Sequence, residues 1–330
     1  MNTKRNTAQF VLITSLFLVS CQSTVPTIAT TDIRGTNCQP IIYSYGTFSE
    51  LGFDYNIVSV CPDGSAKQRL TVDGQQNSGA AWSPDGRNIA FYSASSGSPN
   101  LHLMDADGGN QRQLTGETDL EFSHSLWMPD GQNIALLART GNQPWEWQLI
   151  DVETAQTRPF GDWPADPDFH PVAFSHSGNQ LVYLALADTS SQSTGLTRQI
   201  HIQNRDGSND LTLTDGARDS INPRWSPDDN QIAFLAEIEA SDGQYALYII
   251  NADGSQLRQV TQRLFSRDAY FDWSPDGQSF VIYSHHKLFT MDFYSGEIMV
   301  EIASIPDLAG EGQDSGNGLN IEQMGIGLSW

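Results

Sequence analysis

The sequence predicts an all-β protein, a six-bladed β-propeller with four antiparallel strands in each blade. Two repeated motifs and a match between the two ends of the propeller region support this prediction. The first motif is Trp82-Ser83-Pro84-Asp85-Gly86, which the apolar run 89–92 follows. Related copies begin at Trp127, Phe174, Trp225 and Trp273, so the leading aromatic residues stand 45 to 51 residues apart. A repeat of this length is typical of propellers and solenoids.

Each copy of the first motif is interpreted as a tight turn between two strands. Proline presets φ for the turn, serine and aspartate side chains bond nearby backbone amides, and glycine accepts positive φ in the last position. Two copies depart from this pattern. Asp229 stands where other copies have glycine, and His176 and Ser177 stand where other copies have proline and aspartate.

A second motif lies between the copies of the first. It consists of a short apolar strand, an Asp-Gly turn and a strand that ends in Leu-Thr or Val-Thr, at 61–71, 105–115, 204–214 and 251–261. Asp-Gly between apolar runs is a strong hairpin signal. Two hairpins in each repeat give four antiparallel strands, which is the content of one propeller blade.

The end of the chain supplies the strand that the first blade lacks. Residues 325–330 align with 77–82, the residues that lead into the first motif. We therefore expect the last strand to complete blade one and close the ring, because closure removes exposed sheet edges. The predicted blades are 38–72 with 325–330, then 77–116, 121–160, 169–214, 220–261 and 268–303.

These motifs resemble the WD-like repeats of the TolB-type family of six-bladed β-propellers. The resemblance extends over about residues 40–330 and rests on many copies of both motifs. It implies the six-bladed fold and partner proteins in the bacterial cell envelope. Because propellers support unrelated activities, the resemblance says more about the fold than about the function.

The first residues predict export. Lys4 and Arg5 precede the apolar run 10–19, which is too short to cross a bilayer comfortably. Leu-Val-Ser-Cys, ending at Cys21, resembles the lipobox of bacterial lipoproteins, in which the cysteine becomes the lipidated N-terminus. An ordinary signal peptide with an unrelated cysteine is the alternative.

These features divide the chain into a lipoprotein signal peptide at 1–20, the lipidated cysteine with a flexible tether at 21–37, and the propeller at 38–330. Several acyl chains on Cys21 would hold the protein on a membrane. Gln22, in place of aspartate, resembles lipoproteins of the outer membrane. The expected location is the periplasmic side of that membrane in a didermic host.

Two further cysteines, Cys38 and Cys61, are expected at the start of one strand and the end of its antiparallel neighbour. An oxidising envelope would allow a disulfide between them. The alternative is two buried thiols that behave as small apolar residues.

The formal net charge of −22 argues against a nucleic-acid partner, since binding to nucleic acid requires a basic face. A solvated, aggregation-resistant surface and an acidic site for cationic partners or Ca²⁺ are the two alternatives. We expect a monomeric propeller.

Two sets of residues are candidates for binding. The first should surround the channel at the propeller axis, on or beside the innermost strands, and comprises His124, His170, Asn222, Arg224, Tyr270 and Asp272. Arg224 and Asp272 occupy equivalent positions in neighbouring blades, so an ion pair is expected between them. The alternative is that these residues are structural polar groups with their hydrogen bonds satisfied.

The second set lies in or beside the longer loops, which should share one face of the propeller, where function usually resides. Its aromatic residues are candidate anchors for a protein partner: Trp145, Trp163, Tyr245 and Phe265. The alternative is that each of them packs into its own blade.

No G-x-S-x-G nucleophile elbow, catalytic triad or metal-binding motif is found in the sequence. We therefore expect a non-enzymatic, lipid-anchored interaction scaffold with no cofactor and no metal. One alternative is the binding of a carbohydrate or other small ligand at the channel mouth. Another is an enzyme that acts on polysaccharide.

Overall fold

A computed structural model describes residues 9–10, 38–49, 52–72, 76–94, 99–116, 120–160, 170–187, 197–238, 243–267, 269–285, 287–304 and 328–330. All regular secondary structure within these ranges is β-strand. The predicted lipidation site Cys21 and most of the predicted signal peptide and tether lie outside the described residues. No helix long and apolar enough to cross a membrane occurs in the described part of the chain.

Six antiparallel sheets form the six blades, as predicted. Blades one to three contain, in turn, β2 (Ile41–Ser49), β3 (Gly52–Val60) and β4 (Gln68–Arg69); β5 (Ser78–Trp82), β6 (Asn88–Ser93), β7 (Asn100–Asp105) and β8 (Arg112–Gln113); and β9 (Leu120–Trp127), β10 (Asn133–Thr140), β11 (Glu146–Asp151) and β12 (Thr157–Pro159).

Blades four to six contain, in turn, β13 (His170–Phe174), β14 (Gln180–Leu186), β15 (Arg198–Asn204) and β16 (Leu211–Thr212); β17 (Ser220–Trp225), β18 (Gln231–Glu237), β19 (Gln244–Asn251) and β20 (Arg258–Gln259); and β22 (Tyr270–Trp273), β23 (Ser279–Ser284), β24 (Lys287–Asp292) and β25 (Ile298–Ser304). Two short strands are added at sheet margins. These are β1 (Gln9–Phe10) against β2 and β21 (Phe265–Ser266) against β19.

The ring is closed by the C-terminal strand. β26 (Leu328–Ser329) pairs antiparallel with β2, with Ile42 opposite Ser329 and Tyr43 opposite Leu328. The last strand therefore completes blade one, which confirms the predicted closure. Closure covers part of the inner edge of β2, which an open ring would leave exposed.

The leading aromatic residue of each first motif is buried between neighbouring blades. Trp127 is 2% exposed and donates its indole N–H to the carbonyl oxygen of Ala81 in the preceding blade, at 3.3 Å. Trp273 donates in the same way to the carbonyl oxygen of Arg224, at 3.4 Å. This position therefore requires both a large apolar body and, in these two blades, a polar N–H group.

A repeated hydrogen-bond pattern explains why the turn after this aromatic residue contains serine and aspartate. Ser83 Oγ donates to Asp85 Oδ1 at 2.6 Å and accepts the backbone N–H of Asn88 at 2.9 Å. The same pattern recurs at Ser226 and Ser274. The turn thus holds its shape through its own side chains, as in Asx and ST turns.

The glycine of the second motif is required by close packing as well as by its backbone conformation. Gly108 has a φ of 86°, and a Cβ atom there would lie 2.9 Å from the carbonyl oxygen of Leu70 in the preceding blade. The threonine that ends this motif is also used. Thr115 Oγ1 accepts the backbone N–H of Leu101 at 3.0 Å and donates to Asn100 Oδ1 at 2.9 Å.

A disulfide joins Cys38 to Cys61, with 5.8 Å between the two Cα atoms. Cys38 precedes β2 and Cys61 follows β3, so the bond links the two long strands of blade one at one end. A cross-link of this kind restricts the unfolded chain and thereby stabilises the folded blade.

Candidate functional site

The innermost strands of the blades meet around the propeller axis. β13 contacts β9 and β17, β22 contacts β17 and β26, and β26 contacts β5. Side chains on these strands therefore come together from different blades, which is what the candidate channel residues require.

Arg224 and Asp272 are charged residues on adjacent inner strands, β17 and β22. Arg224 is 5% exposed and donates from Nη1 to the carbonyl oxygen of Pro223 at 2.8 Å. Burial lowers the pKa of its guanidinium group, and the negative charge of Asp272 opposes that shift. The two charges thus influence each other's ionisation, and the direct ion pair expected between them stays a prediction.

The carboxylate of Asp272 also contacts the end of the chain. Its Oδ1 atom accepts the backbone N–H of Trp273 at 3.0 Å, and its Oδ2 atom accepts that of Trp330 at 3.3 Å. Burial raises the pKa of Asp272 to about 6, although the charge of Arg224 and these two hydrogen bonds act in the opposite direction. Asp272 therefore lies where blades five, six and one meet, with its pKa raised above the ordinary value.

Asn222 is held in a strained conformation by a bulge in β17. Its φ is 52°, and its Nδ2 atom donates to the carbonyl oxygen of Ala269 in blade six at 2.9 Å. Gly79 occupies the equivalent position in blade two with a φ of 65°. Asparagine accepts positive φ more readily than most residues, which explains its presence here.

Tyr270 does not share the position of Asn222, although both residues precede their tryptophans by three. The strand β22 pairs with β23 without a register shift, so Tyr270 lies opposite Tyr283. In blade five the bulge inserts one residue, and Ile221 is the equivalent residue, opposite Leu235. The electrostatic influence of Tyr270 on the pKa of Arg224 still places it near that side chain.

For the two candidate histidines, only the backbone positions are described. His124 lies in β9 opposite Leu137, and His170 lies in β13 opposite Leu184. Their side chains are outside the described residues, as is the whole of Trp163. Their roles remain predictions.

Tyr245 and Phe265 are not exposed anchors, and this expectation is corrected. Tyr245 is 2% exposed, Phe265 is 1% exposed, and the two residues lie opposite each other where β21 pairs with β19. Their rings belong to the core of blades five and six. The pairing of β21 with β19 covers them.

The hydroxyl group of Tyr245 belongs to a polar clamp between blades four and five. It donates to Asp219 Oδ2 at 2.9 Å. Arg198 donates to the same carboxylate from Nε at 2.9 Å and from Nη2 at 2.6 Å. Burial opposes ionisation of Asp219, but the hydrogen bonds and charge of Arg198 outweigh it and lower the pKa of the carboxyl group.

Sequence reasoning missed this clamp, because Arg198 and Asp219 belong to no repeated motif. Asp219 is 5% exposed, and its carboxylate accepts three hydrogen bonds from Arg198 and one from Tyr245. A bidentate arginine–carboxylate pair with this burial fixes the geometry between two elements. The clamp therefore stabilises the junction of blades four and five.

Among the candidate anchors that the structure describes, Trp145 keeps some exposure. The guanidinium carbon of Arg139 lies 4.7 Å from the centre of its ring, and the ring packs partly against the core of the neighbouring blades. A cation stacked on an aromatic face stabilises both side chains. A role for Trp145 in partner binding stays a prediction.

No group of three or more histidine, cysteine, aspartate or glutamate residues suited to a metal ion occurs among the described residues. In the clamp, the charges of Arg198 and Asp219 are paired with each other. The chemistry that they offer is ion pairing and hydrogen bonding.

No family model matches the chain. Dipeptidyl-peptidase 5 of Porphyromonas endodontalis is 36% identical over 116 residues, which are 35% of this chain and 16% of that protein. Tricorn protease homolog 1 of Streptomyces coelicolor is 29% identical over 249 residues, 71% of this chain and 22% of the relative. The Tol-Pal system protein TolB of Zymomonas mobilis is 38% identical over 74 residues, 22% of this chain and 16% of TolB.

The chain therefore spans less than a quarter of each of these three relatives. Two of them are named as peptidases, and this finding overturns the expectation of a non-enzymatic protein. Segments similar to this chain occur in proteins that are named as peptidases, so the lack of a recognised catalytic motif does not separate this chain from them.

Solved structures agree on the architecture. TolB from Acinetobacter baumannii is similar to this chain with a TM-score of 0.63 and 19% identity, over 88% of this chain and 66% of that one. A TolB-like protein from Agrobacterium tumefaciens gives a TM-score of 0.54 over 80% of this chain. At these identities the likeness concerns the fold. The chain is a six-bladed β-propeller whose structural neighbours include the TolB propellers.

Proposed function

We propose that this propeller is a protein-interaction module of the bacterial cell envelope, held at a membrane by lipid on Cys21. The observation that carries the proposal is the closed six-bladed ring, which is similar to TolB over 88% of the chain. The lipobox-like residues before Cys21 support the location. The net charge of −22 favours a partner with a basic surface.

The ring itself supports a binding role, because polar contacts connect neighbouring blades. The Arg198–Asp219 clamp fixes two blades, and Asp272 connects blade six to the closing residue Trp330. Recognition residues commonly lie on loops that such a scaffold positions. On the face that carries the longer loops, we assign the partner contact to Trp145, which is partly exposed and has the guanidinium group of Arg139 stacked over its ring.

Cross-linking in intact native cells, followed by purification and mass spectrometry, tests the proposal. A recurrent envelope protein should be captured through the loops around Trp145, and Cys21→Ala should reduce its capture by removing the anchor. Membrane fractionation should move the same variant to the soluble fraction. Failure to capture any envelope protein would refute the interaction module, whereas unchanged fractionation would refute only the lipid anchor.

Peptide processing is a second candidate function. It is favoured by the match of 71% of this chain to Tricorn protease homolog 1 and by the matched segment of dipeptidyl-peptidase 5. The purified protein should then cleave an unstructured polypeptide, alone or together with its captured partner, as followed by mass spectrometry. Intact polypeptide in both samples would rule this candidate out.

A further inference from the structure

The two longest strands that the structure describes lie in blade one. β2 and β3 contain nine residues each and stay paired from Ile41 opposite Val60 to Ser49 opposite Gly52. The second and third strands of the other blades contain six to eight residues. The hairpin of β2 and β3 is therefore extended at the end that lies away from the disulfide.

Two separate segments pair with the side of β2 that faces away from β3. β26 lies opposite residues 42–43, and β1 lies opposite residues 46–47, with Phe10 facing Gly46. Both run antiparallel to β2, and β3 occupies the other side of β2 along its whole length. Within the described residues, the inner strand of blade one is therefore shared between β26 and β1.

Blade three shows what one continuous inner strand does at these positions. β9 pairs along β10, with Trp127 opposite Ile134 at one end and Leu120 opposite Thr140 at the other. In blade one, β26 covers only the first of these ends. Gln9–Phe10 therefore takes the place on β2 that the first residues of β9 take on β10.

The segment that fills this place belongs to the predicted export signal. Phe10 opens the apolar run 10–19, and removal of residues 1–20 would take β1 away while β2 stays. Residues 44–48 of β2 would then lose the partner that the structure describes there. An unpaired strand edge presents N–H and C=O groups that bind an extended chain.

Chain length and charge favour the chain's own segment as the occupant before processing. Residues 11–37 connect β1 to Cys38, number 27 and span up to about 90 Å when extended, whereas Cys38 and Thr47 lie about 30 Å apart along β2. A connection of this length holds the segment near β2 at an effective concentration on the order of millimolar. Neither the run 10–19 nor residues 44–48 contain a charged residue, so no charge loses its hydration when they pair. A second copy of the chain lacks this connection and brings a further net charge of −22.

We propose that residues 44–48, named the β2 edge, are a docking site for the export segment of the unprocessed chain, and that processing vacates this site. The ligand is an extended, uncharged apolar strand, and residues 9–10 show its orientation, antiparallel to β2. The site becomes available to other extended strands only after residues 1–20 are removed. The inference rests on the proposed envelope location, because that removal belongs to it.

Hydrogen exchange read by mass spectrometry tests the docking in the full, unprocessed chain, in which Cys21→Ala prevents lipidation. Phe10→Pro should speed exchange across the β2 edge at least about tenfold, because proline lacks a backbone N–H and disfavours strand pairing. The matched control is Phe17→Pro, the same change later in the same apolar run, which should leave this exchange unchanged. No effect of Phe10→Pro, or an equal effect of the two substitutions, would overturn the docking.

The processed protein purified from native membranes tests the vacated site. Exchange across the β2 edge should be at least about tenfold faster than in the full chain, and a peptide copy of residues 8–15 should slow it again. The same peptide with proline in place of Phe10 is the control and should have no effect. Slow exchange in the processed protein without peptide would show that another segment fills the edge and would overturn the proposal. Absence of processing in cells would refute the proposed envelope location, whereas the comparison of Phe10→Pro with Phe17→Pro would still decide the docking.

Discussion

Asp229 bonds to the backbone of His176 across the junction of blades four and five. Its Oδ1 atom accepts the N–H of His176 and its Oδ2 atom accepts that of Ser177 at 2.7 Å. The imidazole Nδ1 of His176 lies 3.1 Å from the same carboxylate. The two copies of the first motif that depart from its pattern therefore complement each other. Asp229 replaces glycine in one turn and supplies the carboxylate that the other turn lacks.

Restoring glycine at this position should destabilise the protein. Asp229 has a φ of 60°, which glycine adopts more easily, but Asp229→Gly removes the partner of two backbone N–H groups and of buried His176. We expect the free energy of unfolding to fall by about 1–3 kcal/mol, measured by chemical denaturation. Asp253→Asn, in an exposed turn, is the control and should have a small effect. A more stable Asp229→Gly protein would show that backbone strain outweighs these bonds.

Asp272 should make stability fall as pH rises through the acidic range. Its pKa is about 6 in the folded protein and near the ordinary value of about 3.9 when unfolded, so the folded state holds a proton that the unfolded state releases. The stabilising contribution is complete below about pH 4 and is lost as pH rises through 6. The difference in unfolding free energy between the wild type and Asp272→Asn should decrease by no more than about 3 kcal/mol over that range.

Other groups also make stability depend on pH, so only this difference is informative. The lowered pKa values of Asp229 and His176 make stability fall as pH falls, the opposite direction. Parallel curves for the wild type and Asp272→Asn between pH 4 and pH 6 would contradict the assignment.

Removing Arg198 from the clamp should cost more stability than removing the hydroxyl group of Tyr245. Tyr245→Phe removes one hydrogen bond and should cost about 1 kcal/mol. Arg198→Ala leaves the buried carboxylate of Asp219 without its cation and should cost about 3–5 kcal/mol. Thermal denaturation of both variants measures the order, and Arg198→Ala/Asp219→Asn should recover part of the loss. Equal losses in the two single variants would argue against the ion pair as the main contribution.

The disulfide should stabilise blade one. Cys38 and Cys61 are separated by 23 residues, and a loop of that length predicts a loss of about 3 kcal/mol when the bond is removed. The variant Cys38→Ser/Cys61→Ser should therefore unfold at lower denaturant concentration than the oxidised protein. Reduction of the wild type should reproduce the shift, and reduction of the variant should change nothing.

The architecture is predictable from the sequence because it is built from local signals repeated around a ring. Trp82, Ser83, Asp85 and Gly86 specify one turn through their own hydrogen bonds and φ, and later copies of the motif repeat the turn. The match between the chain end and 77–82 similarly predicts the pairing of β26 with β2. These features need no knowledge of distant contacts, since each turn selects its conformation from neighbouring residues.

The candidate site depends on contacts between residues that lie far apart in the chain. Loop position predicted exposure for Tyr245, but the pairing of β21 with β19 buries it. Counting back from tryptophan aligned Tyr270 with Asn222, but one bulge shifts the register. The sequence by itself determined the blades and their closure, because short-range turn chemistry recurs in it. Only the tertiary structure decided which side chains are buried and which charges pair, because blade-to-blade packing joins residues such as Arg198 and Asp219 that no repeat relates.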